Sequence, residues 1–193
     1  MKKIILVGIF LLLIIGCTND KGRDVNMNPV AVFDTSLGEF KMKLFVDKSP
    51  ITAGNFKKLV EEGFYDGTRF HRVIKNFMNQ GGDPLSKDLS MQSRWGTGSP
   101  GYTIEDEFID GLSNVRGTIS MANSGPNSGG SQFFLNVVDN TNLDWDKPPA
   151  QSKHPVFGKV VSGMDIVDAI NSVQTESGDR PVEEVLIKKI TIE

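Results

Sequence analysis

From Pro29 to the end of the chain, apolar residues recur at alternate positions in short runs broken by Gly, Pro, Asn and Asp. That period of two, more than any single motif, restricts what the chain can fold into. Phe40, Met42 and Leu44 alternate with Glu39, Lys41 and Lys43, and Val30 to Thr35 precede them across Ser36-Leu37-Gly38, which reads as a hairpin with one buried face. Further strands are predicted at Phe70 to Ile74, Phe77 to Gln80, Gly117 to Met121, Phe133 to Val137, Val156 to Val161 and Val185 to Ile192. Only two stretches carry a helical period. Ser49 supplies an N-cap before Pro50, Ala53, Phe56, Leu59 and Val60 share one face, and Gly63 is a stop, which predicts a helix over 50–62. Met164, Val167 and Ile170 predict a second, shorter helix. Many short strands, Gly-rich turns and two helices define a mainly β chain, an antiparallel barrel or sandwich. The longest stretch without a pattern is Asp83 to Gly101.

The first residues follow a different rule. Lys2 and Lys3 precede Ile4 to Ile15, twelve residues of which only Gly8 is not apolar. A helix needs about 20 such residues to cross a bilayer, whereas a secretory apolar segment needs about 7 to 15. The run ends at Gly16-Cys17, where the single cysteine follows a small residue. This resembles the lipobox of bacterial lipoproteins, cut before Cys17 with the lipid carried on its sulfur. The alternative is a signal peptide that ends near an incidental thiol. The chain thus divides into a signal at 1–16, a lipidated polar tether at 17–28 and one domain at 29–193. Without its signal it carries 19 Lys+Arg against 24 Asp+Glu, a formal charge of −5. Such a surface is not drawn to an anionic bilayer, so acyl chains would have to supply the attachment. The expected location is the extracytoplasmic face of a bacterial cell membrane or outer membrane.

Charge and rare residues exclude several functions. A net charge of −3, with no basic stripe, argues against a nucleic-acid partner. One Cys excludes an internal disulfide, and two His make a metal site unexpected, so no metal or cofactor is assigned. A hydrolase would have only His71 and His154 as bases, and the chain has no G-x-S-x-G elbow.

Two segments set polar and aromatic residues together where plain strands would alternate: FHRVIKNFMNQGGD at 70–83 and MANSGPNSGGSQFFL at 121–135. With Gly63-Phe64-Tyr65-Asp66-Gly67-Thr68, Val156-Phe157-Gly158-Lys159-Val160 and Gly163-Met164-Asp165, they closely resemble the cyclophilin family of peptidyl-prolyl cis-trans isomerases over about residues 30–193. The resemblance implies a closed antiparallel eight-stranded β-barrel capped by two α-helices. It implies Arg72 as the catalytic residue, donating to the prolyl nitrogen, and Phe77, Met78, Phe134 and Leu143 as the apolar receptacle for the proline ring. His71 and His154 match positions at the rim. Gln80, and Asn123 through its backbone, match groups that hydrogen-bond the substrate main chain, and Ala122 and Gln132 line a neighbouring groove. The implied partners are proline-containing unfolded or exported polypeptides, met by a monomer; a membrane-tethered Pro-peptide binding module is the alternative.

The chain departs from the family pattern in two places. The residue before Leu143 is Asn142, where many members have the Trp that helps bind cyclosporin, and Trp145 comes three positions after it. Tight cyclosporin binding is therefore not expected. Extra sequence at Leu85 to Trp95 precedes Gly96-Thr97-Gly98, and an exposed Trp there is costly unless it packs on the barrel or meets a client.

Overall fold

A computed structural model describes residues 28–148 and 153–193. The signal and Cys17 assignments, and all of the tether except Asn28, lie outside the described residues. Among those described, no helix is long and apolar enough to cross a membrane.

Among the described residues, ten strands and two α-helices follow in chain order: β1 Val30–Thr35, β2 Gly38–Leu44, α1 Pro50–Glu61, β3 Arg72–Ile74, β4 Met78–Gly81, β5 Thr118–Met121, β6 Phe133–Asn136, β7 Val156–Ser162, α2 Met164–Asn171, β8 Thr175–Glu176, β9 Arg180–Pro181 and β10 Ile187–Ile192. Eight of them form one antiparallel sheet in the order β10-β1-β2-β7-β5-β6-β4-β3, and β8 pairs with β9 in a separate ribbon. Each predicted strand and helix is present within a few residues of its expected ends. The β8–β9 ribbon, and short 3-10 turns at Pro84–Lys87, Leu89–Arg94 and Thr141–Leu143, carry no period that would have revealed them.

The expected closed barrel is not formed. The sheet is an open, curled half-barrel whose end strands, β10 and β3, do not pair. Closure requires facing strands of matched length and stagger. Here β3 holds only three residues, and the chain before it meets the chain before β10 through one bridge, Arg69 to Leu186. Phe70 N–H donates to Val185 O at 3.0 Å and Ile187 N–H to Thr68 O at 2.8 Å, so the two edges are stitched where they approach and do not run as a ladder. Farther along, the Val73 N–H donates to Asp179 O at 2.7 Å, so the ribbon occupies the place a closing strand would take.

The concave face holds the core. Phe33 stacks on Phe40 at 4.5 Å, Phe56 on Tyr65 at 5.0 Å, and Phe133 meets Phe33 and Phe56 edge-on at 5.8 and 5.6 Å. Such pairs each add about 0.5–1.5 kcal/mol beyond burial. The buried Tyr65 hydroxyl donates to Ser131 O at 3.0 Å, and desolvation raises its pKa well above the ordinary phenol value.

The helices close the two ends. Ser49 occupies the N-cap of α1 but makes no capping bond of its own. A distant carboxylate does that work: Glu107 Oε2 accepts from Ile51 N and Thr52 N at 3.0 Å and from Ser49 Oγ at 2.9 Å, which also suits the positive end of the helix. Gly63, at φ +67°, ends α1 in the left-handed conformation. At the other end Asn171 donates to Ile74 O and Asn79 Oδ1 at 2.9 and 2.8 Å, tying α2 to the β3–β4 turn.

Gly163 admits the chain into α2 at φ +77°, where a Cβ would lie 2.6 Å from Glu39 O and 2.8 Å from Phe40 Cα. Gly163→Ala combines backbone strain with overpacking, and urea unfolding is expected to show a loss of at least about 2 kcal/mol.

Candidate active site

Alternation along three neighbouring strands builds the site on the face opposite the core. Arg72 on β3 pairs with Gln80 on β4, and Gln80 pairs with Phe134 on β6. Their sequence neighbours Val73, Phe133 and Leu135 point into the main core, so Arg72, Gln80 and Phe134 point out of it. Met78, Phe134 and Leu143 form a second, smaller apolar cluster, with Phe77 and Ala122 packed against it. A cavity of about 320 Å³ opens there, lined by Arg72, Phe77, Met78, Gln80, Ala122, Asn123, Phe134, Leu143 and His154. Nine of the residues singled out in the sequence therefore meet at one cavity. Gln132 lies beside them, in an adjoining groove of about 340 Å³ bounded by Gly96–Ser99 and Ala122–Ser124.

Leu143 comes from a turn, and a buried polar network sets where that turn lies. Asp144 Oδ1 accepts from Asn114 N and Nδ2 at 2.7 and 2.9 Å, and Ser120 Oγ donates to Asn114 Oδ1 at 2.7 Å. Asn136 Nδ2 donates to Thr118 Oγ1 at 2.9 Å, and Asn140 Nδ2 to Asn136 Oδ1 at 2.8 Å. A second chain of bonds crosses the floor. Arg72 Nη1 lies 3.5 Å from Gln80 Oε1, Gln80 Nε2 donates to Gln132 Oε1 at 3.0 Å, and Gln132 Nε2 donates to Gly96 O and Gly98 O at 3.0 and 2.9 Å.

The two histidines part company. His154 stands edge-on to Phe134 at 5.2 Å with Nδ1 3.1 Å from Met121 O. A carbonyl can only accept, so Nδ1 carries the proton and Nε2 is the bare nitrogen. Burial lowers its pKa, against weaker opposing effects of the Met121 carbonyl and Asp106. His71 is 5 % exposed, lies under the Gly96 turn and lines neither cavity, and neither ring nitrogen meets a well-aligned hydrogen-bond partner among the described residues. Burial lowers its pKa from 6.5 to about 4, with Arg72 adding to the effect and Asp83 and the Arg69 backbone opposing it. The rim position implied for His71 is thus sealed beneath the extra loop.

That loop is held by Asp83, whose carboxylate accepts from Leu85 N at 2.7 Å, Gly98 N at 3.3 Å and Gly96 N. Trp95 packs on the domain: the Arg69 guanidinium lies 5.7 Å from its ring centroid, and Nε1 donates to Asp88 O at 3.1 Å. Trp145, 45 % exposed, stacks on Phe108 at 6.5 Å and forms no part of the cavity wall. Three carboxylates hold these elements in place without any role assigned to them from the sequence: Asp83, Asp144 and Asp179. Asp83 had a detectable signal, an Asp before Pro that starts a turn. Asp144 and Asp179 act on residues 30 and 107 positions away and had none.

Known proteins place this geometry. Residues 30–192 match the family model of the cyclophilin type peptidyl-prolyl cis-trans isomerases. The chain is 43 % identical to peptidyl-prolyl cis-trans isomerase-like 1 of Aspergillus fumigatus, over 81 % of this chain and 90 % of that one. It is 44 % identical to the Arabidopsis thaliana peptidyl-prolyl cis-trans isomerase CYP71 over 83 % of its own length but only 24 % of that longer protein. A cyclophilin-type isomerase of Cryptosporidium parvum, crystallised in the presence of the dipeptide Ala-Pro, superposes with a TM-score of 0.73 at 30 % identity, covering 85 % of this chain and 98 % of that one. The chain belongs to the cyclophilin-type peptidyl-prolyl cis-trans isomerases.

Burial of neutral His71 sets a dependence on pH. Because its folded pKa lies below the unfolded one, its stabilising contribution is complete above 6.5 and is lost as pH falls toward about 4. Urea midpoints should reveal a loss of up to about 3 kcal/mol across that window. His71→Phe should flatten the slope, and parallel curves for the two proteins would contradict this origin.

Proposed function

We propose that the chain catalyses X-Pro isomerisation by aiming the Arg72 guanidinium at the prolyl nitrogen while the proline ring rests against Phe77, Met78, Phe134 and Leu143. The observation that carries this reading is the cavity itself, where one permanently charged donor faces the Met78–Phe134–Leu143 cluster. Amide resonance sets a rotation barrier of about 18–20 kcal/mol. As the C–N bond twists, the lone pair localises on nitrogen and becomes an acceptor. A donor directed there binds the twisted amide more strongly than either planar form, which lowers the barrier without a nucleophile or proton loss. Gln80 and the Asn123 backbone hold the peptide on one side, so the rest of it rotates against a stationary anchor. Asn123 is itself secured, its Nδ2 donating to Lys153 O at 2.7 Å. The dipeptide named with the Cryptosporidium parvum structure has the chemistry this cavity would take.

Losing one well-aimed donor costs about 2.7–4 kcal/mol of transition-state stabilisation. Arg72→Ala should therefore lower kcat/KM for cis/trans exchange on an X-Pro peptide by roughly 10²–10³ with the fold intact. An active, folded Arg72→Ala protein would dismiss the mechanism and leave a peptide-binding groove.

The working site we propose is outside the cytoplasm, on newly exported polypeptides, with the domain held to a membrane by lipid on Cys17. Lys2, Lys3, the apolar run Ile4 to Ile15 and the Gly16-Cys17 junction support it. Uncatalysed X-Pro isomerisation takes tens to hundreds of seconds, long enough to limit folding after export. Cys17→Ser should move the protein from the membrane fraction to the soluble one and abolish incorporation of labelled palmitate. Continued membrane attachment without label would rule out the lipid anchor.

A further inference from the structure

We propose that Asp179 is a positioning residue for Arg72, and that the β8–β9 ribbon serves to hold that guanidinium in its working direction. The inference rests on the reading of Arg72 as the donor. Arg72 stands on the last strand of an open sheet with its side chain 45 % exposed, so packing alone does not choose its rotamer. A donor that must meet a lone pair only as the amide twists is effective when its direction is set beforehand.

Two acceptors set it. Arg72 Nε donates to Asp179 Oδ2 at 3.3 Å, and Nη1 lies 3.5 Å from Gln80 Oε1. They approach the fork from different nitrogens, so together they restrain its plane as well as its position, and Nη2 makes no hydrogen bond to the described residues. Asp179 is in turn held by its own main chain. Its N–H donates to Glu176 O at 3.1 Å, and its carbonyl accepts from Val73, the residue after Arg72, at 2.7 Å. Arg180 closes the ribbon onto Glu176, with Nε to Oε1 at 2.7 Å. The carboxylate is therefore built onto the same edge as the donor it meets. As a contribution to folding, an exposed pair of this kind adds little, which leaves orientation as the use the geometry suits.

Asp179 sits at φ +62°, a conformation that Asn and Gly accept and Ala or Glu resist. Asp179→Asn and Asp179→Gly thus remove the charge, or the whole side chain, and leave the turn. The experiment measures cis/trans exchange on an X-Pro peptide by NMR, with the full chain in detergent, for both variants, Arg72→Ala and the Arg72→Ala/Asp179→Asn double variant. Asp179→Gly should lower kcat about tenfold with KM within about twofold, and Asn, which keeps an acceptor oxygen, should lose about threefold. The Arg72 Nε–H resonance should sharpen in the order Gly, Asn, wild type. In the Arg72→Ala background the Asn change should have no further effect. Wild-type kcat in both Asp179 variants, or an equal loss with and without Arg72, overturns the positioning role while the catalytic reading of Arg72 survives. Full activity in Arg72→Ala overturns both.

Discussion

The register that sets Arg72 against Gln80 and Gln80 against Phe134 is the constraint on which the site depends. Side chains on a strand alternate between faces, so one pairing decides two surfaces at once. Val73, Phe133 and Leu135 enter the aromatic core, while Arg72, Gln80 and Phe134 assemble the cavity behind it. A slip of one residue would send the guanidinium into the core and a phenyl ring into water. Core packing around Phe33, Phe56 and Phe133 therefore also places the cavity residues that these strands carry.

What the strands cannot supply, buried amides and carboxylates do. Leu143 lies on a turn, and it reaches the cavity because Asp144, Asn114, Ser120, Asn136 and Asn140 bond one another behind it. Every member has a partner, so the network restrains the turn without the penalty of an orphaned polar group. Asn79 and Asn171 do the same for α2, with Asn79 Nδ2 donating to Val167 O at 2.9 Å. On the groove side Asp83 gathers the ends of the extra loop, and Gln132 carries that arrangement to Gln80 and so to Arg72. The loop that covers His71 is consequently tied to the Arg72 strand through hydrogen bonds.

The open edge gives the fold its asymmetry. A closed barrel would have buried the outer side of β3 in a ladder with β10 and left no approach to Arg72 from that direction. Instead, a two-stranded ribbon contributes one carbonyl to the strand and one carboxylate to its arginine. A short strand, ordinarily a weakness at a sheet edge, here leaves room for a partner from elsewhere in the chain.

The sequence by itself determined the elements and most of the cavity's membership. Alternation at Phe40, Met42 and Leu44, the helical spacing in 50–62 and the two long motifs all act locally, through φ/ψ preference and side-chain period, and can be read without knowing the fold. The resemblance carried by those motifs named the nine residues that line the cavity. Only the tertiary structure decided whether the sheet closes, that Glu107 and not Ser49 caps α1, that His71 is sealed away, and that Asp179 meets Arg72. Each of these joins groups far apart in the chain, 58 residues for Glu107 and Ser49 and 107 for Asp179 and Arg72. No local period records such a distance; it is settled when strands of particular lengths curl around one aromatic core and bring their edges to where those side chains can meet.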